Sequence, residues 1–129
     1  MKVLVFGNPL VRKDSISLRI LPKLREAFPD VEFKEFDAAE NLESEGKDLV
    51  ILDAAEGIRE VSLIEDIGSL SSGKIYSMHD FDLAITLKLL MKLGRLQRVR
   101  IIAIPCSFSA AKALAGARRL LSSLSSKSG

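Results

Sequence analysis

Four side chains have the type and placement to do chemistry: the single histidine, His79, the single cysteine, Cys106, and the carboxylates Asp14 and Asp53. Asp53 ends the apolar run DLVILD, Asp14 stands between the first apolar run and a helical stretch, and His79 opens another helical stretch. Two carboxylates and one imidazole form a hard-to-borderline ligand set suited to Zn, Ni, Fe or Mn, with coordination positions left open. The positive end of a helix disfavours an imidazolium, so His79 is expected to stay neutral and able to offer a lone pair. Each residue also has a plainer role. Asp14 suits a helix N-cap, Asp53 a cap or an ion pair, and His79 a surface position. Cys106 follows an apolar run and opens a helix, where a thiolate would be stabilised. With His79 and a carboxylate it could make a Cys/His hydrolase, although a small apolar core residue is its commoner role. The dinucleotide pattern G-x-G-x-x-G and the phosphate loop are both absent.

Positioning these groups requires elements that the apolar patterning supplies. Met1–Phe6, Val31–Phe36, Asp48–Asp53 and Val99–Ile104 read as strands, and Val61–Ile67 as a weaker edge strand. Between Ser15 and Phe28, Ile16, Ile20, Leu24 and Phe28 recur at helical spacing, with Pro22 either kinking the helix or marking its start. Ala38–Glu45 is a short helix or loop ended by Gly46, and Gly68–Gly73 is a loop. Ser77-x-x-Asp80 has the form of a capping box for a helix that runs to Leu93 and stops at Gly94. The narrow polar stripe of that helix (Lys88, Lys92, Arg95) predicts burial of most of its circumference. Ser107–Leu124 is a last helix with Ser107 or Ser109 as N-cap.

Strands alternating with helices predict an α/β fold of three layers, a mostly parallel sheet with helices on both faces. In such folds functional groups gather beyond the carboxyl ends of the strands, where Asp14, Asp53 and His79 all fall. Residues 1–124 are expected to form one domain, with 125–129 as a flexible tail.

At 47% apolar residues the chain can bury a core without disulfides or a structural metal. One cysteine excludes a disulfide scaffold and a multi-thiolate zinc site. No apolar stretch approaches a membrane span, and the N-terminus does not read as a signal peptide. The expectation is a soluble, cytoplasmic protein that engages no membrane; its oligomeric state is left open by the sequence, with a monomer favoured. Net charge is +2, yet all 17 acidic residues lie at or before Asp82, and residues 83–129 carry only basic charges. That asymmetry raises nucleic acid as a partner. With no Trp and a single Tyr, stacking on bases is poorly supported, and nucleic acid is not expected.

Taken in order, these segments resemble the maturation proteases of nickel–iron (NiFe) hydrogenases. The resemblance rests on the strand leading into Gly7-Asn8, Asp14 ahead of Ile16 and Arg19, the strand ending Asp53-Ala54 with Gly57 beyond, Ser77-x-His79 before Leu83, and the late strand ending Ile104-Pro105. It implies a phosphorylase/hydrolase-like fold and an endopeptidase. Such an enzyme removes a C-terminal peptide from the nickel-loaded precursor of a hydrogenase large subunit. It also implies that Asp14, Asp53 and His79 are metal ligands and catalytic residues that engage nickel carried by the substrate, a site that a surrogate divalent metal can also occupy. A metal-polarised carbonyl or metal-activated water is the simplest chemistry, with Asp14 or Asp53 as general base. The chain departs from the family pattern at Val5, at Ser15 and Ser17, and at Asp37–Glu40, where glycines are usual. A non-proteolytic paralogue that binds a precursor or a metal is therefore the alternative.

Overall fold

The computed structural model describes residues 1–7, 15–36, 42–66, 76–77 and 81–128. Its strands are β1 (Lys2–Phe6), β2 (Glu32–Phe36), β3 (Asp48–Glu56), β4 (Ser62–Ile64), β5 (Tyr76–Ser77) and β6 (Arg98–Pro105). Its helices are α1 (Ile16–Ala27), α2 (Phe81–Lys92) and α3 (Ala110–Ser128), with a short 3₁₀ turn at Leu42–Glu45. The sheet order is β2-β1-β3-β6-β4. β1 runs parallel to β2 and β3, β3 parallel to β6, and β4 closes the far edge antiparallel to β6. β5 pairs antiparallel with the end of β3, Ala55 opposite Ser77 and Glu56 opposite Tyr76.

Alternation along β3 and β6 divides the core into two layers. Val50, Leu52 and Ala54, with Ile102 and Ile104, face α1 and α3 and meet Ile20, Leu24, Ala117 and Leu121. Leu49, Ile51 and Ala55, with Ile101 and Ala103, face the other way, toward Leu83, Leu87 and Leu90 of α2. These are the expected three layers, because a strand buried on both faces must be covered on both.

Four local expectations change. β3 does not stop at Asp53 but continues to Glu56, held by pairing with β6 as far as Pro105 and by β5. α1 begins at Ile16 and runs through Pro22, which therefore does not mark its start; Pro22 is exposed and deprives the Leu18 carbonyl of its amide partner. α2 is buried on one side only: Ile85, Leu89 and Leu93 are 52%, 53% and 58% exposed, because a single layer covers that face of the sheet. α3 continues past Leu124 to Ser128, through residues that the sequence pattern assigned to a tail. Elsewhere the local chemistry agrees with expectation. The Lys112 amide donates to Ser109 Oγ at 3.2 Å, which identifies Ser109 as the N-cap of α3. Gly94, at φ 74°, ends α2 in a backbone conformation that favours glycine. The Gly68–Gly73 loop lies outside the described residues, as do Met78–Asp80, the middle and end of the expected capping box.

Candidate functional site

Strand order places a topological switch point between β1 and β3. From β1 the chain passes through α1 on one face to β2, and from β3 it reaches α2 on the opposite face. Connections that leave neighbouring parallel strands toward opposite faces open a crevice at the carboxyl edge of the sheet.

Asp53 stands at that edge, sixth of the nine residues of β3. Its side chain is on the α2 face, since it alternates with Leu52 and Ala54 and lies in register with Ala103 of β6. The residue is only 2% exposed, so its carboxyl group must be compensated by protein. The Ala54 amide donates to Asp53 Oδ1 at 2.8 Å, which helps fix the carboxyl orientation.

Asp14 and His79 lie outside the described residues, and the flanking elements are what the structure describes. Ser15, directly after Asp14, holds the N-cap position of α1 without a side-chain capping bond. The plain N-cap role at this helix therefore belongs to Ser15. On the other side, β5 ends at Ser77, two residues before His79, and its partner in register is Ala55, two residues after Asp53. From there the chain enters α2, on the Asp53 face. Among the described residues no group of three His, Cys, Asp or Glu side chains is arranged to hold a metal ion.

Cys106 is partly buried against the core shared with α1 and α3, while Asp53 faces the α2 side. The cysteine and this carboxylate are thus on opposite faces of the sheet, which removes Asp53 from any Cys/His arrangement centred on Cys106. Sequence reasoning did not single out Ser17 as a buried group. It is fully buried in the first turn of α1, and its hydroxyl has no hydrogen-bond partner among the described residues. Its signal was a serine on the apolar side of the Ile16, Ile20, Leu24 pattern.

This fold defines a doubly wound α/β protein with a buried carboxylate at the switch point between β1 and β3. No family model and no curated protein matches the chain. Solved structures do. The hydrogenase maturating endopeptidase HybD from E. coli matches with a TM-score of 0.61 at 19% identity, over 98% of this chain and 94% of that one. A hydrogenase 3 maturation protease matches with a TM-score of 0.56 at 19% identity, over 81% and 72% of the two chains. An uncharacterised protein from Wolinella succinogenes gives 0.53 at 20% identity, over 95% and 97%. The chain thus has the fold of the hydrogenase maturation endopeptidases. Among the described residues no helix is long and apolar enough to cross a membrane.

Proposed function

We propose that the chain is an endopeptidase of hydrogenase maturation that removes a C-terminal peptide from the nickel-loaded precursor of a NiFe hydrogenase large subunit. The observation that supports it most is Asp53, a carboxylate kept out of water at the switch point of a fold shared with HybD over nearly the whole chain. Asp14 and His79 complete the proposed set; Ser15, next after Asp14 in sequence, is the N-cap of α1, and Ser77, two residues before His79, pairs with Ala55 at the end of β3. Two carboxylates and an imidazole suit a borderline divalent ion. Here that ion is part of the substrate and supplies the polarisation of the scissile carbonyl. The protein's residues recognise the loaded precursor, and Asp14 or Asp53 accepts the proton of the attacking water.

The test mixes purified protein with nickel-loaded precursor and follows the precursor mass. Shortening at the C-terminus by the wild type, and none by Asp53→Asn, is the expected result. An unshortened precursor with every large subunit tried overturns the proposal. For the ligands, nickel is titrated into the wild type and His79→Ala. Weaker binding by the variant is expected, and equal affinity removes His79 from the site.

A further inference from the structure

A cleft of about 360 Å³ runs between the N-terminal halves of α1 and α3, on the face away from α2. Arg19 and Lys23, one turn apart on α1, and Arg118 on α3 line it together with apolar side chains, the buried Ile20, the half-buried Leu114 and the exposed Ala111. Among the described residues no carboxylate lines it and none of the three cations makes an ion pair. Glu26, three residues beyond Lys23, lies outside the lining. Both helices start at the carboxyl edge, so the positive ends of their dipoles add to the field of the three cations. Three other cations of the basic half are paired: Arg95 with Glu43, Arg98 with Glu65 and Arg100 with Asp48. Cations left unpaired around an apolar concavity call for an occupant that brings both carboxylates and aliphatic side chains. Nucleic acid brings charge but no aliphatic groups, and no aromatic residue lines the cleft to stack on a base.

We infer that this cleft docks an acidic, leucine-rich segment of the precursor protein and holds it beside the carboxyl edge where Asp53 stands. The partner's identity rests on the proposed function. The chemistry of the cleft does not depend on metal or on cleavage.

The probe is a fluorescent peptide of repeating Leu-Glu-Glu-Leu, titrated into the full chain and followed by anisotropy. The double variant Arg19→Glu/Arg118→Glu is expected to bind about tenfold more weakly, a loss near 1.4 kcal/mol. Ala111→Phe, which adds bulk to the lining and keeps all three cations, should also weaken binding. Lys88→Glu/Lys92→Glu on α2 makes the same change in net charge and should bind as the wild type does. Equal weakening by the α2 pair means diffuse charge attraction and overturns the inference. So does equal affinity for poly-glutamate of the same length, or tighter binding of a single-stranded oligonucleotide. A protein that binds the peptide but shortens no precursor overturns the endopeptidase alone. One that shortens the precursor equally fast with or without the cleft variants overturns the cleft alone.

Discussion

Asp53 and Ser17 show opposite kinds of legibility at the scale of single residues. A carboxylate at the end of an apolar run is conspicuous in a sequence, because burial of an acid demands a reason, and Asp53 is indeed 2% exposed. Ser17 is inconspicuous: serine is ordinary near a helix start, and only packing reveals that its hydroxyl is buried with no partner among the described residues. A buried hydroxyl left unsatisfied costs about 1–3 kcal/mol, and alanine is also the better helix former by a few tenths of a kcal/mol. Ser17→Ala is therefore expected to raise the melting temperature by roughly 3–5 °C for a domain of this size. A fall of several degrees in a calorimetric or circular-dichroism melt would show that the hydroxyl holds a bond the fold needs. The trio of Asp14, Asp53 and His79 was legible as residue types, and for Asp53 also as a place. Sequence spacing supplied the carboxyl edge, while the neighbouring of β1 and β3 came from the strand order.

Elements built from continuous apolar runs were the readable ones: β1, β3 and β6 are buried on both sides and α1 carries a clean helical period. Two features escaped for a physical reason. Ala54-Ala55-Glu56 has poor intrinsic strand preference, yet it is strand because β5 and β6 supply the pairing. α2 is apolar nearly all round, which reads as full burial. Only its Leu83, Leu87 and Leu90 side meets the sheet, leaving Ile85, Leu89 and Leu93 outward. Close approach between elements was equally hidden. Gly116 of α3 lies so near Val61, just before β4, that an added Cβ would sit 2.5 Å from one Val61 methyl carbon and 2.7 Å from its Cβ. Gly116→Ala gains about 1 kcal/mol in helix preference. It must also displace a core valine that is 5% exposed, and overpacking of this kind costs about 1–3 kcal/mol. The expected net effect is a loss of up to about 2 kcal/mol in a urea titration at unchanged slope. A gain would mean that the β4 edge gives way freely.

Across the whole molecule, the charge asymmetry of the sequence resolves into a division between the two edges of the sheet. Residues from the basic half meet carboxylates of the acidic half around the strand starts, as in Arg98–Glu65 and Arg100–Asp48, both 3.3 Å. Pairs as exposed as Arg98–Glu65 contribute little and are screened by salt. Glu45 is different, because its carboxyl group is 4% exposed between Lys2 of β1, at 2.5 Å, and Lys34 of β2, at 2.7 Å. It ties the two strands nearest one side of the sheet to the turn that leads into β3. The hydrogen bond from Lys2, with that from Lys34 second, outweighs burial and holds the Glu45 carboxyl below its ordinary range. A carboxyl whose value is lower in the folded chain adds stability above its unfolded value, near 4.5, and loses it as pH falls through the folded value. Lys2 shows the reciprocal shift: its ammonium is raised by the hydrogen bond to Glu45, so its share persists until pH rises beyond 10.5. Glu45→Gln should therefore melt several degrees below the wild type at neutral pH, and the gap should narrow steadily as pH is lowered from 5 toward 3. Thermal melts of both proteins across that range provide the check. A gap that stays constant down to pH 3 would mean that packing of the side chain, and not its charge, fastens β1 and β2 to the turn before β3.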